Sequence, residues 1–169
     1  MSKKLVLAFV FAAVVSGIGT TANRARALVR RFGSHLCVQG TSGFEADNWG
    51  FYYKGSRTRA PLYCSFVDDS TFNHDQVETL NVHFRDMRGT TDGFGAAACV
   101  TRSSRWSTAC GPVRTGGRPV GEVGWITLTG RDLETWRANP NGFPYVFVGF
   151  PPGEGSTASS TVLGFYAED

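Results

Sequence analysis

Little in this chain of 169 residues suits it to cross a membrane as a helix, clasp a phosphate backbone or hold a metal with closely spaced ligands. The longest apolar run, residues 5–19, has 15 residues, against roughly 20 for a membrane-spanning helix. Beyond position 27 lysine occurs once, at Lys54, and the other basic residues are arginines without a cluster. A nucleic-acid binder should gather a basic patch against phosphates, so no nucleic-acid partner is expected. There is no C-x-x-C pair of the kind that structural zinc sites use, no H-x-H pair, and no EF-hand loop. The G-x-S-x-G elbow is also missing, which leaves the α/β-hydrolase mechanism without footing. Helical periodicity is almost wholly lacking.

What the chain does have begins with a leader. Lys3 and Lys4 precede the apolar run, and Ala25-Arg26-Ala27 offers a small-x-small cleavage site. That order describes a secretory signal peptide over residues 1–27, so a secreted protein, extracellular or periplasmic, is expected, with no membrane span after cleavage. The leader removes four basic residues and no acidic one. The full chain's net +3 thereby becomes 13 basic against 14 acidic residues, net −1, over residues 28–169. Those 142 residues are the length of one domain.

Four cysteines, Cys37, Cys64, Cys99 and Cys110, in an exported chain suggest two disulfides. The stretch AAACVTRSSRWSTACGP reads as a hairpin about a Ser104-Arg105 turn. Antiparallel pairing about that turn places Cys99 opposite Cys110, close enough for a bridge. Cys37 and Cys64, consecutive along the chain, form the second expected pair.

Elsewhere period-two alternation dominates, in segments separated by Gly, Pro, Asn and Asp. The alternation predicts about nine strands: 28–39, 49–54, 61–66, 77–86, the two arms of the hairpin, 123–129, 145–150 and 161–167. Asp132 to Trp136 reads as one helical turn with Asp132 as N-cap. The patch around residues 40–48 and the segment 114–121 read as loops, and the near-continuous apolar run 145–150 as a strand covered on both faces. An all-β, two-sheet antiparallel sandwich, jelly-roll or immunoglobulin-like, follows.

Candidate chemistry is sparse. His35, His74 and His83 read as solvated polar residues. His83 shares the polar face of its strand with Asn81 and Arg85, with Asp86 nearby. Asp68, Asp69, Asn73 and Asp75 supply oxygens of the kind calcium takes, but read as an acidic surface loop. No catalytic residue, metal or cofactor is assigned. Among the four tryptophans, Trp106 beside the hairpin turn and Trp136 in a polar segment are the expected exposed, ligand-binding ones. Trp49 and Trp125, in alternating strands, are expected in the core.

The ordering Cys37, Leu62-Tyr63-Cys64, Leu80-Asn81-Val82-His83 with Asp86, Ala98-Cys99-Val100-Thr101 and Leu163-Gly164-Phe165-Tyr166 resembles a loose group of short exported β-proteins of unknown function from soil bacteria. The resemblance implies a signal peptide, a sandwich and disulfides, and no activity. Export, disulfides and aromatics together point to a non-enzymatic binding module for a glycan or a surface protein. A secreted hydrolase using dispersed Asp, Glu and His residues is the competing expectation.

Overall fold

A computed structural model describes residues 28–47, 50–53, 60–69, 71–87, 93–102, 107–151 and 160–169. The expected leader 1–27, the Ser104-Arg105 turn, Trp49 and Trp106 lie outside the described residues. Twelve strands form: Val29–Gly33 (β1), Cys37–Gln39 (β2), Phe44–Asp47 (β3), Gly50–Tyr53 (β4), Ala60–Ser65 (β5), Thr79–Arg85 (β6), Phe94–Arg102 (β7), Ser107–Cys110 (β8), Arg114–Gly116 (β9), Val123–Thr129 (β10), Phe143–Phe150 (β11) and Thr161–Glu168 (β12). A short helix, Glu134–Arg137 (α1), precedes β11.

The strands make two antiparallel sheets packed as a sandwich. The first runs β10-β6-β12-β4-β3, with β1 also paired to β12; the second runs β2-β5-β11-β7-β8, with β9 also paired to β7. Inward side chains alternate along each strand and interlock across the gap. Phe84 of the first sheet stacks on Phe94 of the second at 4.3 Å, and Phe44 meets Phe150 edge-on at 5.0 Å. Offset and edge-to-face rings of this kind add to the area they bury.

The difference between nine expected strands and twelve observed ones has local causes. The segment 28–39 is not one strand: a 3-10 turn at Ser34–Leu36 breaks it, so β1 joins the first sheet and β2 the second. β3 and β9 arise in stretches read as loops. They are four and three residues long, too short for alternation to register, and their pairing with β4 and β7 fixes them instead.

Both disulfides form as expected, Cys37–Cys64 and Cys99–Cys110. Each joins residues directly opposed in the ladder, with Cα atoms 3.8 and 4.0 Å apart. β2 and β8 are the terminal strands of the second sheet's main run, so each bridge ties a short outer strand to its inner neighbour.

The helical turn around residue 132 forms, but Asp132 is not its N-cap. The Asp132 carboxylate sits inside a 3-10 turn, Gly130–Leu133, accepts from Thr129 N–H at 3.3 Å and pairs with the Arg114 guanidinium at 2.8 Å. β11 is also not covered on both faces. Val146 and Val148 are in the core, whereas Tyr145 and Phe147 are half-buried on the outer side and Phe143 is 61% exposed.

Candidate functional site

The outer face of the first sheet carries the best-formed site, and pairing register builds it. Trp125 on β10 stands opposite His83 on β6. His83 stands opposite Gly164 on β12, and Gly164 opposite Gly33 on β1. Directly paired residues point to the same side of a sheet, so this row crosses four strands on one face. The next row holds Thr127, Asn81, Tyr166 and Arg31 in the same strand order. The intervening residues, Ile126, Val82, Phe165 and Phe32, are buried in the core.

Trp125 is 53% exposed. Its expected place was the core, and this is a correction with a legible cause. Trp125 belongs to the set Val123, Thr127 and Thr129, while Gly124, Ile126 and Leu128 are the buried set of β10. The alternation was present in the sequence, but the indole's hydrophobicity suggested the wrong side for it. The ring lies 6.1 Å from the His83 ring, which in turn lies 5.3 Å from Tyr166. The Arg118 guanidinium sits 5.3 Å from the Trp125 centroid, within cation–π range.

Between these rings the sheet has a floor without side chains. β12 bulges between Val162 and Gly164, and Gly164 has φ +144°. A Cβ there would come within 2.4 Å of the Phe32 carbonyl oxygen. Glycine is therefore required by both backbone conformation and close approach. The result is an open depression of about 430 Å³ bordered by Arg31, Gly33, His83, Leu163, Gly164 and Tyr166. The His35 ring occupies the space a side chain at Gly33 would fill. Two of the three histidines thus border one face, a proximity that sequence spacing does not reveal.

His83 is half-buried here. Its Nε2 is shielded from solvent and has no hydrogen-bond partner among the described residues. Burial first, and then the Arg31 charge, hold the imidazole below its ordinary range. Asn81 is buried and accepts from the Thr127 hydroxyl at 2.6 Å.

Trp136, expected exposed and ligand-binding, is fully buried, with 0% exposure. Its indole N–H donates to the Cys99 carbonyl at 2.7 Å, and its ring meets Phe66 at 4.8 Å. Polar neighbours misled the sequence reading: in a single helical turn they flank the indole that anchors the turn to the core. Trp106, the other expected ligand-binding tryptophan, lies outside the described residues.

The remaining titratable groups are dispersed and structurally engaged. His74 is buried, with Nδ1 2.5 Å from an Asp68 oxygen and Nε2 3.1 Å from the Asn139 carbonyl. Asp69 accepts from the Thr71 hydroxyl and from the Thr71 and Phe72 N–H groups, and pairs with Arg30. Those bonds, the Thr71 hydroxyl's foremost, pull its pKa down to about 2. Asp86 is buried and takes the Ser160 hydroxyl and Arg118 N–H. Among the described residues no three His, Cys, Asp or Glu side chains gather at one point. No helix among them is long and apolar enough to cross a membrane.

The second sheet's outer face holds a smaller depression, of about 310 Å³, between Val38, Tyr63, Phe143 and Tyr145. Tyr63 and Tyr145 meet there edge-on at 5.9 Å.

No protein-family model and no curated protein matches the chain. Solved structures do. The low-affinity xylan-binding module CBM86 from the gut symbiont Roseburia intestinalis superposes with a TM-score of 0.51 at 9% identity, over 83% of this chain and 94% of that one. The xylan-binding module CBM15 gives 0.49 at 9% identity, over 84% and 96%. CBM28, a module specific for non-crystalline cellulose, gives 0.43 at 15%, over 81% and 86%. The likeness is one of fold.

Proposed function

We propose that the protein is a non-enzymatic glycan-binding module acting outside the cytoplasm, with the outer face of the β10-β6-β12-β1 sheet as its binding surface. One observation carries this reading: an exposed Trp125 in register with His83 and flanked by Tyr166, beside a glycine-floored depression. Pyranose rings present apolar C–H faces edged by hydroxyls. They suit an aromatic surface interrupted by polar groups, here His83, Thr127 and Arg31. A shallow surface of this kind receives a chain laid along it rather than one small molecule enclosed in a pocket.

Two disulfides favour an oxidising compartment, in keeping with the leader read in the sequence. The fold shared with CBM86 supports the same direction. The hydrolase alternative would place a carboxylate beside His83, whereas the buried carboxylates Asp86 and Asp132 are bonded to other groups.

Affinity electrophoresis and calorimetry against a panel of plant and bacterial polysaccharides test the proposal. Trp125→Ala should weaken the ligand found by about 30-fold, the loss of a central aromatic contact worth about 2 kcal/mol. Phe143→Ala, on the opposite sheet, should leave it unchanged. Equal binding by wild type and Trp125→Ala would remove this face from the site.

A further inference from the structure

Resting on that reading, we infer that the glycan this face takes is acidic, a polysaccharide whose sugars bear carboxylate or sulfate groups. The inference comes from which arginines have partners. Among the described residues Arg30 pairs with Asp69 and Arg114 with Asp132, Arg102 bonds the Asn139 side chain and Arg137 two backbone carbonyls, whereas Arg131 stays exposed outside these contacts. Around the aromatic face Arg31, Arg85 and Arg118 make no ion pair among the described residues. Arg31 borders the depression and makes no ion pair among the described residues. Arg118 reaches Trp125 by its guanidinium, while its backbone N–H donates to the buried Asp86 carboxylate at 3.3 Å. Arg85, exposed and outward two positions from His83, gives its Nε–H to the Gly121 carbonyl at 3.2 Å, and its terminal nitrogens have no partner among the described residues.

The acids of the same face stand at its margins. Glu45 lies on the far strand β3 and accepts the Tyr52 hydroxyl at 2.7 Å. Glu168 closes the end of β12 opposite Thr79 and Val29, two rows from His83 and one from Arg31. Residues 28–169 carry a net charge of only −1, so a run of three arginines on one face is not a general surplus of positive charge. Guanidinium groups make paired hydrogen bonds to carboxylate and sulfate oxygens with a geometry that neutral hydroxyls do not match. The Arg31 charge also reaches His83, whose imidazole it disfavours as a cation. An anion seated beside both would relieve that repulsion.

Calorimetry with a polyuronate, the same polymer after reduction of its carboxyl groups, and a sulfated dextran separates the outcomes. The polyuronate should bind at least tenfold more tightly than its carboxyl-reduced form. Arg31→Ala and Arg118→Ala should each lower polyuronate affinity about five- to tenfold more than they lower affinity for the reduced polymer, and Arg31→Lys should restore part of the loss. Preference for the polyuronate over the sulfated dextran assigns the anion as carboxylate, and the reverse preference assigns it as sulfate. Equal affinity for native and reduced polymer overturns the inference while leaving the glycan-binding reading intact. Anion binding that ignores Trp125→Ala and vanishes at about 0.15 M salt, where screening acts within about 8 Å, overturns the glycan-binding reading itself.

Discussion

Trp125 and His83 face each other across the β10–β6 ladder with ring centroids 6.1 Å apart, and the two residues differ in what their neighbours impose. Arg118 lies over the indole, while Arg31 acts on the imidazole.

The consequence for His83 is measurable. Burial is the larger cause of its lowered pKa, and Arg31 the second. In an NMR titration, His83 should therefore reach its midpoint below 6.5, and Arg31→Gln should raise that midpoint without bringing it up to 6.5. For stability, the folded protein resists protonation that the unfolded chain accepts. The His83 contribution is thus complete above about pH 6.5 and is lost as pH falls through the folded-state pKa. His83→Gln should flatten this part of the stability profile. A His83 midpoint above 6.5, or one unmoved by Arg31→Gln, contradicts the account.

Trp136 is the largest fully buried side chain among the described residues. Truncating it removes contacts with Phe66 and His74 and the hydrogen bond to the Cys99 carbonyl. Trp136→Ala should cost about 3–5 kcal/mol in a denaturant titration. Trp125→Ala, half-exposed, should cost well under 1.5 kcal/mol. Comparable losses for the two would mean that one of these burials is misassigned.

The disulfides differ in loop length, with separations of 27 for Cys37–Cys64 and 11 for Cys99–Cys110. By the chain-entropy relation they contribute about 3.5 and about 2.8 kcal/mol. Removing the longer loop's bridge with a double Cys→Ala substitution should therefore lower the denaturation midpoint more. The reverse order would show that native-state contacts, rather than the unfolded chain, set their worth.

Much of this architecture was legible before any coordinates. Hairpin symmetry gave Cys99 opposite Cys110, alternation located β5, β6 and β10 and an apolar run located β11, whereas residues 28–39 hid a change of sheet at Ser34–Leu36. The binding face was much less legible. Its aromatic members come from β6, β10 and β12, far apart in sequence, and only pairing register puts them in adjacent rows. Gly164 gave no sign of its role because a bulge is a property of two strands at once. Trp125 and Trp136 mislead for opposite reasons: at Trp125 the indole's hydrophobicity outweighs its place in the alternation, and at Trp136 polar neighbours outweigh the indole itself. On β10 the period of two decides exposure, and in a four-residue helix the one large apolar side chain is the one that must be covered.

Both covalent bridges belong to the same layer, and neither spans the gap between layers. The layer presenting Trp125 is fastened only by packing and by its own ladders. A reducing milieu should therefore loosen the opposite flank first, at the short strands β2 and β8, and leave recognition working until the whole molecule melts. Exposure to thiols would then shorten the protein's lifetime without changing what it grips.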